Sequence, residues 1–100
     1  MGVVIAEVSV VPLGTKETAL GDYVAKAVDE LKKETDLKFE VTPMCTCIEG
    51  EMEHVMDAIK KMHEAAFQAG AMRVMTEIKI DDRRDKQESM ERKVSRALRR

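Results

Sequence analysis

The order in which the hydrophobic period changes along this chain constrains its fold more than any single motif. Val3 to Val11 alternates on a two-residue period, with Val4, Ala6, Val8 and Val10 facing one way and Val3, Ile5, Glu7 and Ser9 the other. Pro12-Leu13-Gly14 ends that run as a turn. The period then lengthens: from about Thr18 to Lys33, Leu20, Val24, Ala27, Val28 and Leu31 fall on one helical stripe. Alternation returns from Leu37 to Thr42, is broken by Pro43, and resumes as a short strand from Met44 to Ile48 that Gly50 closes. A second helix carries Glu51 and Glu53 in its first turn, where the helix dipole favours acids. It buries Val55, Ile59, Met62 and Ala66 and stops at Gly70. Met72 to Ile80 reads as a fourth strand, with Met72, Val74, Ile78 and Ile80 on one face and Arg73, Met75, Glu77 and Lys79 on the other. A last helix is predicted from about Lys86 to Leu98, with Asp85 and Glu88 as its capping box and Met90, Val94, Ala97 and Leu98 as its stripe.

The order β-α-β-β-α-β plus a terminal helix predicts an α+β, ferredoxin-like sandwich. Four antiparallel strands carry both crossover helices on one face, and residues 1–100 make a single domain. A chain this short buries only about 60–65% of its unfolded surface, so its core is thin and self-association would relieve it. The uncovered sheet face, with Val3, Ile5 and Met75 beside Glu7, Glu77 and Lys79, is the surface on which a second subunit is expected.

Charge narrows the function. With 17 basic against 19 acidic residues the chain lacks the net basic surface of a nucleic-acid binder. Its only aromatics, Tyr23, Phe39 and Phe67, do not form the stacking platform by which sandwiches of this type bind RNA. No apolar run approaches the roughly 20 residues that span a bilayer. Met1-Gly2-Val3-Val4-Ile5-Ala6-Glu7 has neither the basic start nor the cleavage site of a secretory signal. With two cysteines expected as free thiols, the chain reads as cytoplasmic.

Few residues suggest chemistry. Cys45 and Cys47 make a C-x-C pair, but a structural zinc site needs four ligands. His54 and His63, nine residues apart on one helix, are separated by about 900° of rotation and so lie on opposite faces. No metal site is expected, and no base stands near enough in sequence to activate either cysteine. Asp81-Asp82-Arg83-Arg84-Asp85 is either a solvated connector of internal ion pairs or an anion or subunit contact through its arginines. Thr46-x-x-Glu49-Gly50 puts a carboxylate beside a helix start, either as a helix cap or as an acceptor for the amino edge of a heterocycle.

Several short motifs recur in a familiar order. They are Pro12-x-Gly14 after the first strand, Tyr23-Val24, Thr42-Pro43-Met44-x-Thr46-x-Ile48-Glu49-Gly50, Gly70-x-x-Arg73-Val74 and Ile78-x-Ile80-Asp81-x-Arg83. In that order and spacing, over nearly the whole chain, the sequence resembles the small thiamine-binding protein family. The resemblance implies a homotetramer, a dimer of dimers, that binds thiamine or its hydroxymethylpyrimidine half without catalysis and needs no cofactor. It implies Thr46 and Glu49 as ligand residues, with Ser9 lining the same pocket, and structural or interface roles for Asp81 and Arg83. Cys45 stands where that family commonly has glycine, so the pocket beside Thr46 is expected to be narrower or reshaped. The function expected is that of a carrier, buffer or sensor. The rivals are a regulatory module of the same fold that senses another metabolite or controls a partner protein, and an enzyme using Glu49 as base.

Overall fold

In the computed structural model, which describes residues 2–14 and 21–99, the elements follow the expected order. They are β1 (Val3–Pro12), α1 (Gly21–Lys32), β2 (Lys38–Val41), β3 (Thr46–Glu51), α2 (Met52–Gln68), β4 (Val74–Asp81) and α3 (Met90–Ala97). The predicted beginning of the first helix, with Thr18 and Leu20, lies outside the described residues. The strands form one antiparallel sheet in the order β2-β3-β1-β4, so two interleaved β-α-β units make the ferredoxin-like sandwich.

Strand register determines what each face carries. On the helix side Ala6 stands between Ile48 and Ile80, and Val8 between Thr46 and Ile78. On the open side Glu7 stands between Cys47 and Lys79, and Ile5 between Glu49 and Asp81. Val4, Ala6, Val8 and Ile48 meet Ala27 and Leu31 of α1 and Val55, Ala58, Ile59 and Met62 of α2 in the core. Met52 and Met56 pack against its rim. Gly70, at φ +113°, takes the left-handed turn after α2 that glycine adopts most cheaply.

Three predicted boundaries are corrected. β3 begins at Thr46 rather than Met44 and runs through Gly50 to Glu51. Thr42 closes the preceding loop on Cys45: its N–H and its hydroxyl both donate to the Cys45 carbonyl, each at 2.8 Å, and the hydroxyl accepts the Cys45 N–H at 3.1 Å. Those bonds hold Met44 and Cys45 in the loop and out of the ladder. Gly50 does not end the strand; it pairs with Val4, and a Cβ there would run into the Leu37 Cδ2 methyl. β4 begins at Val74, where pairing with Pro12 starts, and leaves Met72 exposed.

The third correction concerns α3, which starts at Met90 instead of Lys86. Ser89, in extended conformation, is its N-cap and accepts the Arg92 N–H at 3.1 Å. The predicted capping pair is engaged elsewhere: Asp85 binds Arg83, while Glu88 meets Arg83 and Arg96. The stripe on β4 also packs less than its pattern suggests. Ile78 and Ile80 lie on the helix side yet remain 40% and 39% exposed, because α1 and α2 lie over the central strands and β4 is an edge.

Candidate ligand cleft

At the end of the sheet where β1 leaves the core, the β2–β3 loop folds toward α1 and encloses a cleft. The cleft measures about 160 Å³ and its apolar walls include Val8, Val28, Val41 and Met62. Thr42, Thr46 and Ser9 bring hydroxyl-bearing residues to it. Thr46, the first residue of β3, is turned to the helix side by its pairing with Val8 and is 6% exposed. The Ser9 hydroxyl donates to the Met44 carbonyl at 3.3 Å, tying the loop to β1. Cys45 also lines the cleft, its thiol 3.4 Å from the Thr42 hydroxyl.

Size limits what this cleft can take. A cavity of about 150 Å³ holds one benzene ring, whereas drug-sized ligands occupy roughly 300–1,000 Å³. The cleft therefore fits one six-membered ring with a few polar substituents. Its side walls would cover the ring faces and Thr46 would supply a hydroxyl partner to the ring edge, the Thr42 hydroxyl being spent on Cys45.

Glu49 is not in that cleft. Residues three apart on a strand point to opposite faces, so Glu49 emerges on the open side. Its side chain is 11% exposed, with Oε2 4.0 Å from the Lys38 ammonium. Its Oε1 accepts the Met90 N–H at 2.7 Å, at the first turn of α3. A helix cap was one of the two readings of this residue; the helix it caps is α3, and α2 begins at Met52 after Glu51, with no side-chain cap. Thr46 and Ser9 thus both border the cleft, Ser9 with its side chain on the open side of the sheet and its hydroxyl on the loop, and Glu49 stands apart from them.

The other sequence candidates resolve as internal contacts. Arg83 binds Asp85 through two bonds of 2.6 and 3.1 Å and reaches Glu88 at 3.4 Å, while Arg84 binds Asp82 at 2.8 Å. Hydrogen bonds from Arg84, Arg83 and Arg96 hold the carboxyls of Asp82, Asp85 and Glu88 below the usual range. Lys93 closes α3 onto Asp81 at 2.8 Å. His54 pairs with Asp36 at 2.5 Å, and His63 shares a 2.7 Å hydrogen bond with Thr76 and packs edge-on to Phe67.

Both cysteines are free thiols. Burial first, then neighbouring Cys45, Glu7 and Glu40, push the Cys47 thiol upward. Among the described residues no group of three or more His, Cys, Asp or Glu side chains is arranged to hold a metal ion. No described helix is long and apolar enough to cross a membrane. Sequence reasoning missed Thr42, Val28 and Val41 as cleft residues. The Thr-Pro turn was visible, but its folding toward α1 depends on the closed Thr42–Cys45 loop.

A four-stranded antiparallel sheet with two helices on one face and a ring-sized cleft at its end defines a ferredoxin-like protein with a small-ligand candidate site. The chain belongs to the thiamine-binding protein family, whose model matches residues 6–98. A UPF0045 protein of Methanothermobacter thermautotrophicus is 48% identical over 90 residues, 89% of this chain and 90% of that protein. The Bacillus subtilis UPF0045 protein YqgV is 43% identical, covering 90% of this chain and 89% of the relative. Among solved structures, a Methanocaldococcus jannaschii protein superposes with a TM-score of 0.87 at 40% identity, over 98% of this chain and 97% of the other. A Thermotoga maritima protein assigned provisionally to thiamine biosynthesis or salvage superposes with a TM-score of 0.79 at 28% identity, over 95% of this chain and 98% of the other.

Proposed function

We propose that this protein binds thiamine or a related hydroxymethylpyrimidine without transforming it, as a carrier, buffer or sensor. The observation that carries the reading is the fit of one six-membered ring to the cleft of about 160 Å³ beside Thr46, in a chain of the thiamine-binding family. A pyrimidine ring enters the cleft and the remainder of thiamine extends from its mouth past Val24, which is 42% exposed. Thr46 is the polar anchor and Ser9 holds the loop against the ring. Glu49 answers to a ligand only by releasing Met90, so its part in binding requires α3 to move.

The working unit in this proposal is a homo-oligomer, a tetramer built as a dimer of dimers. Exposed Met75 on the open sheet face, and Ile78 and Ile80 at the β4 edge, support association. The two free thiols suit a reducing compartment, the cytoplasm.

Calorimetric titration with thiamine, and separately with hydroxymethylpyrimidine, tests the ligand. Saturable binding at micromolar or tighter affinity, returned ligand unchanged, and loss of affinity in Thr46→Val support the reading. No heat from either ligand, in protein freed of co-purified small molecules, moves the assignment to a regulatory module for another metabolite. Sedimentation as a stable monomer at micromolar concentration removes the oligomer.

A further inference from the structure

The two edges of the sheet are unequal. β2 is four residues long, and its Phe39 and Glu40 border a groove shared with Met90 and Val94 of α3. β4 is eight residues long, and among the described residues no strand lies beyond it. Its outer main-chain groups form an open ladder over a run that contains neither proline nor glycine. Met75 on the open side, and Ile78 and Ile80 on the helix side, are exposed along this edge. Glu77 and Lys79 stand on either side of Ile78, both on the open face and both exposed. Neither enters an ion pair among the described residues.

An open edge of this length accepts another extended strand, and the charges on β4 select which one. Antiparallel neighbours put opposed side chains on the same face. A two-fold axis that keeps both helix layers on one side of the joined sheet therefore runs through a residue, which meets its own copy. Two such axes lie nearest the middle of β4, through Glu77 and through Ile78. The first sets Glu77 against Glu77. The second sets Glu77 opposite Lys79 at two symmetric places, Ile78 against Ile78, and Thr76 opposite Ile80. An axis between residues turns the second sheet over and sets Ile78 against Glu77 or Lys79. Only the axis through Ile78 matches charge with charge and apolar with apolar.

We propose that two copies of this chain join edge to edge through β4, paired antiparallel about Ile78, so that Glu77 of each copy faces Lys79 of the other and the sheet doubles to eight strands. The inference rests on the homo-oligomeric reading of the function and adds its edge, its symmetry and its register. Main-chain hydrogen bonds join the strands, and Ile78 and Ile80 are buried between the two helix layers. A lysine on an edge strand ordinarily discourages pairing; here Lys79 repels a strand in the wrong register and pairs with one in the right register. No described residue of β4 lines the ring cleft, so each copy keeps its own cleft.

The test is sedimentation of the full-length protein over a dilution series, with charge-reversed variants beside it. Glu77→Lys and Lys79→Glu each place like charges opposite one another at both symmetric positions, and each should weaken association by about tenfold or more. The double exchange Glu77→Lys with Lys79→Glu restores the pairing and should return to within about threefold of the parent. Register is read separately by oxidation in chains whose Cys45 and Cys47 are serine. Ile78→Cys should form a disulfide-linked dimer, because opposed Cα atoms lie roughly 4.5–5.5 Å apart, within disulfide reach. Glu77→Cys should not. Circular dichroism matched to the parent shows that each variant is folded. A parent that stays monomeric at micromolar concentration removes the homo-oligomeric reading and this inference with it. A parent that associates while both single reversals leave association unchanged, as contact through the open sheet face would give, overturns the β4 pairing alone. Faster cross-linking of Glu77→Cys than of Ile78→Cys overturns the register.

Discussion

Glu49 and Met90 are 41 residues apart in sequence and joined by a 2.7 Å hydrogen bond from the Met90 N–H to the Glu49 carboxylate. This bond fixes the start of α3 to the middle of the sheet. α3 has no fully buried residue of its own, and Val94 and Leu98 on its apolar stripe stay more than half exposed. Its docking on the sheet therefore depends on polar anchors: Glu49 on Met90 and Asp81 on Lys93.

Glu49→Ala leaves the Met90 N–H without its acceptor. The expected cost is about 1–2 kcal/mol in denaturant unfolding, the usual range for losing a helix cap to a charged group. Hydrogen exchange should quicken over residues 90–97 while the β1 and β3 amides keep their protection. Unchanged exchange in α3 would show that Glu49 does not hold it.

Thr46→Val keeps the shape of the cleft wall and removes its hydroxyl. Affinity for hydroxymethylpyrimidine should fall about tenfold, near 1.4 kcal/mol, with the unfolding midpoint little changed. Calorimetry and thermal unfolding of the same sample give both values. Equal affinity in the variant would remove Thr46 as the anchor.

Gly50→Ala drives a methyl group into Leu37, which is 8% exposed and has little room to yield. The expected destabilisation is about 1–3 kcal/mol. Leu37→Ala alone should also destabilise, and the double variant should cost less than the sum of the two. A double-mutant cycle with no coupling would place the strain elsewhere.

Acid should release the C-terminal segment before the sheet. Asp82, Asp85 and Glu88 have carboxyls held below their ordinary values, chiefly by hydrogen bonds from Arg84, Arg83 and Arg96. A carboxyl with a depressed folded-state pKa contributes its stability above the unfolded value. That contribution fades as pH falls toward the folded value, so the loss is expected below the ordinary carboxylate range. NMR titration should find the Glu88 carboxyl ionised below the exposed acids, and Arg96→Ala should raise its midpoint.

The faces of the strands were legible in the sequence because alternation is imposed by the backbone itself. Val4, Ala6 and Val8 read as buried and are; Val3, Ile5 and Glu7 read as facing away and do. The same rule carried the information that Thr46 and Glu49 point apart, since three is an odd number of strand residues. What alternation cannot carry is coverage. Ile78 and Ile80 have the pattern of core residues, and only the position of β4 at the sheet edge leaves them partly bare. Nor does local sequence carry the partner of Glu49, because the bond closes across an entire helix and strand. Ser89 caps α3 while the Asp85 carboxylate is bound to Arg83, a pairing that local spacing does not reveal.

β3 gives its two sides separate tasks, with Thr46 and Ile48 toward the helices and Cys47 and Glu49 away from them. Substitutions on one side can accumulate with little consequence for the other, so the lining of the cleft and the docking of the last helix are free to diverge independently among descendants of this chain. Insertion or deletion of one codon within the strand has the opposite effect. It would reverse the faces of every strand residue on one side of the change in one step, turning polar side chains into the core and core side chains outward. The genetic expectation is a strand permissive to replacement at single positions and intolerant of any change in its length.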